Sequence, residues 1–338
     1  MADVYHSVHE LSMSGVVLPE FVWAAQDQPG ATKFTGSSGP EVPVLDMSDP
    51  DCGTRMADAA MNWGAFQVVN HGVPEEVVAE LQRVGRAFFA LPQEEKERYA
   101  TNQTSKNKIE GYRVGVRAPP RNVKGRKMWA DFFHHYVAPA AVVDHDIWPK
   151  NPAGYSACRE ANEEYCRHMQ RLARQIFEHL SVGLGLEKYA MRDAIGGDEL
   201  VLLQKMNSYP PCPQPDLVLG TGPHTDMCAL TILLPNEVQG LQVFKDALWY
   251  NVKYIPMALI VLIGDQIEIL SNGRYKATVH RSTVNKEKTR MSWPVFMEPP
   301  GEVIVGPLQQ LTTDDSPVKY KTKKYKDYQY CRLNLLPQ

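Results

Sequence analysis

The sequence predicts an α+β protein in which a closed antiparallel β-barrel or a double-sheet jelly roll is flanked by helices. Beyond residue 200, eight short segments rich in β-branched and aromatic residues follow one another with no helical pattern between them. In residues 159–186, apolar positions recur every three or four residues, as in a helix that buries one face. The chain of 338 residues is 43% hydrophobic, which is enough apolar material for a large core.

The first half of the chain predicts two strands and several helices. Residues 42–47 (VPVLDM) indicate a short strand at a sheet edge, because proline cannot donate to a ladder, and a helix should follow. Residues 64–69 (GAFQVV) indicate a second strand, closed by a turn at residues 70–72, and a helix is expected from Pro74 to Leu91. The Gly/Ser-rich residues 30–39 are interpreted as a linker between an N-terminal arm and the body.

The second half predicts the barrel or jelly roll itself. Its strands are expected at residues 202–209, 229–234, 241–244, 248–252, 258–263, 266–270, 276–284 and 290–296. The Asn272-Gly273 pair is the strongest β-hairpin signal in the chain. We expect an N-terminal arm (1–40), a helix-rich region with a few strands packing on the core (41–199), a jelly-roll core (200–300) and a C-terminal extension (301–338).

Composition narrows the classes of function. A formal net charge of −3 provides no field that would collect nucleic acid. The basic residues 319–327 are interpreted as a solvated charge run, with a phosphate-binding patch as the alternative. Six scattered cysteines form no Cys-x-x-Cys pair and are expected to be reduced thiols. The sequence lacks a secretory signal pattern and an apolar run long enough to span a membrane, so we expect a cytoplasmic protein. We also expect a monomer.

Three residues suggest a metal site. His224 and Asp226 lie just before a predicted strand, and residues two apart in an extended chain point to the same side. His280 lies on another predicted strand and would complete the set, although it could equally be a hydrogen-bonded histidine of the barrel interior. Two imidazoles and one carboxylate leave three coordination positions open, which suits an iron(II) oxygenase, whereas a structural zinc site would have four protein ligands.

A second group suggests an anion site. Arg290 and Ser292 lie two apart on a predicted strand, and a guanidinium beside a hydroxyl matches a carboxylate. An outward-facing, solvated arginine is the alternative. If Arg290 points inward, an anionic ligand explains it better, because an unpaired buried charge is costly. Asn207 and Tyr209, also two apart, would complete the polar contacts of that anion.

These residues belong to an ordered series of motifs that resembles the plant 2-oxoglutarate-dependent dioxygenases over nearly the whole chain. The matching motifs are residues 63–72 (WGAFQVVNHG), Asn207-x-Tyr209, residues 210–213 (PPCP), His224-x-Asp226, residues 240–243 (GLQV), Gly264-Asp265, residues 271–273 (SNG), His280-Arg281 and Arg290-x-Ser292. The resemblance implies a double-stranded β-helix (jelly roll) core flanked by helices. It also implies Fe(II), 2-oxoglutarate and O2 as reaction partners, ascorbate as a support of activity, and a 2-oxoglutarate carboxylate bound by Tyr209, Arg290 and Ser292.

Within that family, the chain is most similar to the flavonol synthases and next to the anthocyanidin synthases. The likeness lies in residues 235–238 (PNEV), 264–267 (GDQI), 287–300 (EKTRMSWPVFMEPP) and 321–334 (KTKKYKDYQYCRLN). It implies that Lys205, Phe296 and Glu298 contact a flavonoid and that a dihydroflavonol is desaturated at C2–C3 to a flavonol, with succinate and CO2 released. Activities of the anthocyanidin synthase, flavanone 3-hydroxylase or flavone synthase type are the alternatives.

One pair of residues departs from the flavonol synthase pattern. Where those enzymes place histidine and then phenylalanine two residues on, this chain has Phe132 and His134, so the two types are present but exchanged. Both are expected to contact substrate; ordinary pocket-lining residues on a strand are the alternative.

Two classes of function other than a dioxygenase are compatible with a jelly roll. These are a non-catalytic small-molecule receptor and a metal-dependent hydrolase. A receptor has no reason to keep His224, Asp226, His280, Arg290 and Ser292 together. A hydrolase has no need of the Arg290-x-Ser292 pair, because it uses no dicarboxylate co-substrate.

Overall fold

The computed structural model describes residues 6–29, 40–101, 109–117, 125–149 and 158–337. The first half contains mainly helices. They are α1 (Val8–Ser14), α2 (Cys52–Asn62), α3 (Glu75–Ala90), α4 (Gln93–Glu97), α5 (Cys158–Gly183) and α6 (Ala190–Ala194). Its strands are β1 (Val44–Asp46), β2 (Ala65–Val69), β3 (Gly111–Val114) and β4 (Asp131–Ala138).

The second half contains mainly strands. They are β5 (Val201–Tyr209), β6 (Thr221–His224), β7 (Leu230–Pro235), β8 (Leu241–Lys245), β9 (Leu248–Asn251), β10 (Leu259–Ile263), β11 (His280–Ser282), β12 (Arg290–Glu298), β13 (Ile304–Val305) and β14 (Lys323–Lys324). The two helices of this half are α7 (Asp265–Leu270) and α8 (Tyr325–Leu333).

The strands form a large sheet, a small sheet and one separate pair. The large sheet has eight strands in the order β1-β2-β10-β7-β12-β5-β4-β3, and the small sheet has four in the order β6-β11-β8-β9. Pairing is antiparallel except between β1 and β2. Buried side chains from both sheets, including Leu233, Val243 and Ile260, share one apolar cluster. The predicted jelly-roll core flanked by helices is therefore confirmed.

The two faces of the large sheet have different partners. Side chains alternate along a strand, so Met206, Trp293 and Val295 lie on one face of the β5–β12 ladder. That face shares its core with Tyr165 and Met169 of α5. The apolar face of this long amphipathic helix therefore covers the outer face of the large sheet. The opposite, inner face of the large sheet is left for the side chains of a site.

Most of the predicted elements are present. The expected helices at residues 74–91 and 159–186 correspond to α3 and α5, and the helix expected after the first strand is α2. Six of the eight strands predicted beyond residue 200 match β5, β7, β8, β9, β10 and β12. Of the strand expected at residues 276–284, only His280–Ser282 pairs with neighbouring strands, as β11. The linker interpretation of residues 30–39 lies outside the described residues.

The prediction for residues 266–270 was wrong, because this segment is helix α7. A run of five residues is too short for periodicity to separate a buried helix from a strand. Asn272 and Gly273 do have positive φ angles of 52° and 78°, as a tight turn requires, but they end α7 and form no β-hairpin. The backbone N–H of Gly273 donates to the carbonyl of Glu268 at 2.8 Å, which closes the helix end.

Other predictions concern the cysteines, the basic run and the membrane. All six cysteines are free thiols. The basic residues 319–327 include β14 and the first turn of α8, and most of their lysines are exposed. Within the described ranges, no helix has both the length and the apolar character that crossing a bilayer would require.

Candidate active site

The three predicted metal residues meet at one edge of the small sheet. His224, the last residue of β6, is the direct ladder partner of His280 on β11, and their ring centroids lie 4.2 Å apart. Asp226 follows two residues later, in the connection from β6 to β7. One ligand atom from each of the three residues lies within 4.8 Å of the others, and no other group of this kind occurs among the described residues.

Backbone carbonyls orient both imidazoles. Nδ1 of His224 donates to the carbonyl of Gly222 at 2.8 Å, and Nδ1 of His280 donates to that of Thr278 at 3.1 Å. This tautomer leaves each Nε2 with a free lone pair. The two Nε2 atoms lie 3.5 Å and 3.7 Å from Oδ1 of Asp226. All three potential ligand atoms therefore converge on one point.

The protonation states suit a divalent metal. Burial and, to a smaller extent, the neighbouring His224 lower the pKa of His280 to about 4, so its imidazole is neutral near pH 7. Burial raises the pKa of Asp226, but the two imidazoles and the Thr231 hydroxyl outweigh it and hold the pKa below its usual range. The Thr231 hydroxyl donates to Oδ2 of Asp226 at 2.6 Å. A neutral His280 imidazole and an ionised Asp226 carboxylate fit an iron(II) centre with open coordination positions.

The four residues predicted to bind an anion lie together at one end of the β5–β12 ladder. Arg290 pairs with Tyr209, and Ser292 pairs with Asn207, so all four side chains share the inner face. The Arg290 guanidinium carbon lies 4.8 Å from the centroid of the Tyr209 ring. Nδ2 of Asn207 donates to Oγ of Ser292 at 3.2 Å, and Nη1 of Arg290 donates to Oγ of Ser282 at 3.4 Å.

These groups retain unused hydrogen-bonding capacity. Nε of Arg290 and Oδ1 of Asn207 are buried and form no hydrogen bond within the described part of the structure. Arg290 is 1% exposed, and a buried guanidinium with an unpaired donor is costly unless a ligand completes its contacts. The group therefore fits the carboxylate of a dicarboxylic acid such as 2-oxoglutarate.

Two glycines make room for this group. A Cβ atom on Gly240 would lie 2.6 Å from Cδ of Arg290, and one on Gly220 would lie 2.5 Å from the Tyr209 ring. Both distances are shorter than van der Waals contact allows. The Arg290 stem and the Tyr209 ring therefore occupy space that any side chain at positions 240 and 220 would fill.

The residues predicted to contact substrate lie on the same inner face. Phe132 pairs with Asn207, and His134 pairs with Lys205, across the β4–β5 ladder. The Lys205 ammonium lies 4.3 Å from the centroid of the Phe132 ring, and the His134 ring lies 5.0 Å from that ring at 69°. Phe296 pairs with Thr231, the residue whose hydroxyl donates to Asp226.

Glu298 completes the inner face at the other end of β12. It is buried, and burial raises the pKa of its carboxyl to about 7. Nε2 of Gln329, on α8, donates to its Oε2 at 3.3 Å. Near neutral pH this side chain can therefore either accept a hydrogen bond as a carboxylate or donate one as an acid.

The sequence predictions missed several polar neighbours of the site. Ser282 lies two residues after His280 on a strand, so the spacing rule applied to His224 and Asp226 would have found it. Thr221 lies opposite Tyr209, with the two hydroxyl oxygens 3.5 Å apart. Thr231 carried no signal in the sequence, because its contact with Asp226 depends on the path of the intervening loop.

A jelly-roll core with two histidines and one aspartate at the edge of its small sheet defines a class, the metal-dependent oxygenases without haem. Residues 198–299 match the family model of the 2OG-Fe(II) oxygenase superfamily, and residues 42–151 match that of the N-terminal region described as "non-haem dioxygenase in morphine synthesis". The chain belongs to the 2OG-Fe(II) oxygenase superfamily. It is a dioxygenase that uses Fe(II), 2-oxoglutarate and O2.

Several relatives cover almost the whole chain. It is 54% identical to flavonol synthase 1 of Crocosmia x crocosmiiflora over 94% of each chain. It is 55% identical to a flavonol synthase/flavanone 3-hydroxylase of Petunia hybrida, over 94% of this chain and 90% of the relative. A leucoanthocyanidin dioxygenase of Malus domestica is 41% identical over 86% and 83%. The crystal structure of JOX2 with 2OG, Fe and JA superposes with a TM-score of 0.85 at 34% identity, over 96% and 92%.

Proposed function

We propose that this dioxygenase oxidises a flavonoid and that its main reaction converts a dihydroflavonol into a flavonol by removing the hydrogens at C2 and C3. The observation that carries this proposal is the identity of more than half of all aligned residues to flavonol synthases over 94% of the chain. The inner face of the large sheet supports it, because aromatic and ionisable side chains lie there beside the metal cluster.

In this proposal His224, Asp226 and His280 hold the iron, and Asn207, Tyr209, Arg290 and Ser292 bind 2-oxoglutarate. When bound, Fe(II) and 2-oxoglutarate with O2 supply the oxidant for C–H cleavage, and the co-substrate is released as succinate and CO2. Arg290 fixes the co-substrate carboxylate from a position set by the sheet register, while Thr231 holds Asp226 by its hydroxyl. The protein contributes position and exclusion of water, and it needs no nucleophile of its own.

Five residues are proposed to hold the flavonoid: Phe132, His134, Lys205, Phe296 and Glu298. The aromatic rings offer stacking to a planar substrate. The Lys205 ammonium and the Glu298 carboxyl offer opposite polarities to phenolic hydroxyls. Because the pKa of Glu298 is raised to about 7, this residue can bind a hydroxyl either as donor or as acceptor.

Flavanone 3-hydroxylation is the second candidate function, because several relatives carry both activities in their names. The exchanged order of Phe132 and His134 is the feature that would alter how a flavonoid lies on the inner face. Anthocyanidin synthase and flavone synthase activities would arise from other poses of related substrates.

One experiment separates these candidates. Enzyme with Fe(II), 2-oxoglutarate and ascorbate is incubated anaerobically with a flavanone, a dihydroflavonol or a leucoanthocyanidin and then exposed to O2. Mass spectrometry distinguishes desaturation, which removes two hydrogens, from hydroxylation, which adds one oxygen. We expect the dihydroflavonol to give flavonol with one succinate per product. Succinate formed without any change in the three flavonoids would contradict the proposal. The double variant Phe132→His/His134→Phe tests whether the exchanged pair sets the ratio of the two products.

The setting of the reaction is also a proposal. We propose a monomer that acts in the cytoplasm, with ascorbate supporting activity and no role for nucleic acid. The formal net charge of −3 supports the last point. We also propose that the chain consists of an N-terminal arm (1–40), a helix-rich region (41–199), a jelly-roll core (200–300) and a C-terminal extension (301–338).

A further inference from the structure

Helix α8 contacts the loop that carries Asp226. Nη2 of Arg332, in the last turn of α8, donates to the backbone carbonyl of Thr225 at 3.2 Å and to its hydroxyl at 2.9 Å. Thr225 is the residue between His224 and Asp226. One guanidinium group therefore contacts both oxygen atoms of the residue that separates two of the proposed metal ligands.

Asp265 connects the same helix to the same loop from the other side. Its backbone N–H donates to the carbonyl of Asp226 at 2.8 Å. Its buried carboxylate accepts from the Tyr328 hydroxyl at 2.8 Å, and Nη2 of Arg332 lies 3.4 Å from its Oδ2. Two residues of α8 and the first residue of α7 thus form one polar cluster around residues 225 and 226.

Hydrogen bonds from several directions hold the loop that carries Asp226, and the α8 cluster supplies those that reach Thr225. Residues 225–229 form no ladder with a neighbouring strand, so their positions depend on individual hydrogen bonds. The Arg332 side chain is 33% exposed, and partly exposed ion pairs contribute little to the free energy of unfolding. Groups that orient a metal ligand nevertheless change metal affinity strongly, because a ligand displaced by a fraction of an ångström no longer fits the ion.

We infer that Arg332 is a positioning residue of the metal site: it holds Thr225 so that Asp226 keeps its place opposite His224 and His280. The inference rests on the proposed assignment of those three residues as metal ligands. It assigns helix α8 a role in metal affinity that is separate from the binding of co-substrate or substrate. Its effect reaches the metal through the backbone of the loop, since no atom of Arg332 is itself a metal ligand.

The test is the affinity of the protein for Mn²⁺ alone, measured anaerobically by equilibrium dialysis without 2-oxoglutarate. Arg332→Ala is expected to raise the Kd for Mn²⁺ by about tenfold or more, the usual effect of removing a group that orients a ligand. Lys326→Ala is the matched control. Lys326 lies on the same helix and pairs with Glu302 on the surface, so its loss should leave the Kd unchanged. Thermal melting followed by circular dichroism should show similar Tm values for the two apo variants.

Two further variants make the result decisive. His224→Ala should abolish Mn²⁺ binding; if it does not, the proposed metal site itself is wrong. If His224→Ala abolishes binding while folded Arg332→Ala binds Mn²⁺ within twofold of the parent, only the inference about Arg332 fails. Should Arg332→Ala not fold, Arg332→Lys replaces it. The lysine nitrogen is one bond closer to the backbone than Nη2, the atom that makes both contacts with Thr225, so this variant should weaken binding by about threefold or more. An unchanged Kd in that variant overturns the inference.

Discussion

The two ends of the inner face of the β5–β12 ladder differ in how their side chains are held. At the Arg290 end, the guanidinium lies against the Tyr209 ring and donates to Ser282, and its stem fills the space above Gly240. At the Glu298 end, a buried carboxyl has one long hydrogen bond from Gln329 and a pKa raised to about 7. The first end fits the carboxylate of 2-oxoglutarate that the proposed function assigns to it. The second can change its charge, which suits a substrate that differs between related enzymes.

The proposed metal site, formed by His224, Asp226 and His280, gives the largest expected effect. Replacing Asp226 with alanine removes one of three proposed protein ligands and the only carboxylate among them, so turnover of any flavonoid should stop. Circular dichroism should show a folded protein, because the jelly-roll core remains. If the Asp226→Ala variant retained most of its iron-dependent activity, Asp226 would not be a metal ligand.

Arg290→Lys tests the fixed end. An ammonium lacks the planar fork of the guanidinium, so the KM for 2-oxoglutarate should rise by roughly tenfold to a hundredfold, as for the loss of a charged hydrogen bond. The KM for the flavonoid should change by less than about twofold, because Arg290 contacts Tyr209 and Ser282, which are not among the proposed substrate residues. Steady-state kinetics with each substrate varied in turn measures both constants. Equal rises in both would show that the two ends are not separate.

Phe296→Ala is the reciprocal test at the substrate end. Loss of one stacking ring should raise the flavonoid KM by about threefold to tenfold, while the KM for 2-oxoglutarate stays unchanged. Phe244→Ala, which removes an exposed phenylalanine of the small sheet, is the control and should alter neither constant. If Phe296→Ala leaves the dihydroflavonol kinetics intact, the flavonoid lies elsewhere although the dioxygenase assignment stands.

The smallest expected effect is on stability and concerns the charge of Glu298. Its pKa is 4.5 in an unfolded chain and about 7 in the folded protein, so between these values the folded state binds the extra proton. Stability therefore falls as pH rises through this window, by at most about 3 kcal/mol. Glu298→Gln removes this penalty and should raise the apo Tm by a few degrees at about pH 8, relative to the parent, and leave it unchanged at about pH 4.

A second buried carboxyl titrates in the same window, so the Glu298→Gln experiment needs a difference measurement. Burial raises the pKa of Asp131 to about 6, and this residue remains in both proteins. Subtracting the parent Tm from the variant Tm at each pH cancels its contribution. A difference that is the same at both pH values would mean that Glu298 does not change its charge in this range.

Sequence spacing correctly grouped those site residues that lie two apart on one strand. That rule places Asn207 with Tyr209 and Arg290 with Ser292, and the structure has both pairs on one face. The ladder that sets His224 opposite His280 joins residues 56 positions apart, and its register cannot be read from either segment alone. Strand placement suggested His280 as the third ligand but left a barrel-interior histidine equally open, and the resemblance to a family supported the first choice. The contact of Arg332 with Thr225 spans 107 residues and left no local pattern at all.

Local patterns failed where two structures share the same composition. The apolar residues of α7 alternate with polar ones as in a half-buried strand, yet the segment is a helix because the N–H groups of Ile267 and Glu268 both reach the carbonyl of Gly264. Six strands beyond residue 200 were predicted correctly, since buried runs of β-branched and aromatic residues bounded by turns have fewer alternatives, but β6 was not predicted.

The glycines beside the co-substrate residues carry a consequence for the interpretation of natural sequence variants. An alanine at position 240 adds a single methyl group and replaces none of the proposed ligand-binding residues. It would ordinarily be regarded as a conservative substitution. Its Cβ atom would nevertheless lie 2.6 Å from Cδ of Arg290, so the Arg290 side chain would have to move. An allele carrying Gly240→Ala should therefore behave in a plant or a bacterial host like one that has lost affinity for 2-oxoglutarate, and its defect should lessen when the cellular supply of that acid is high.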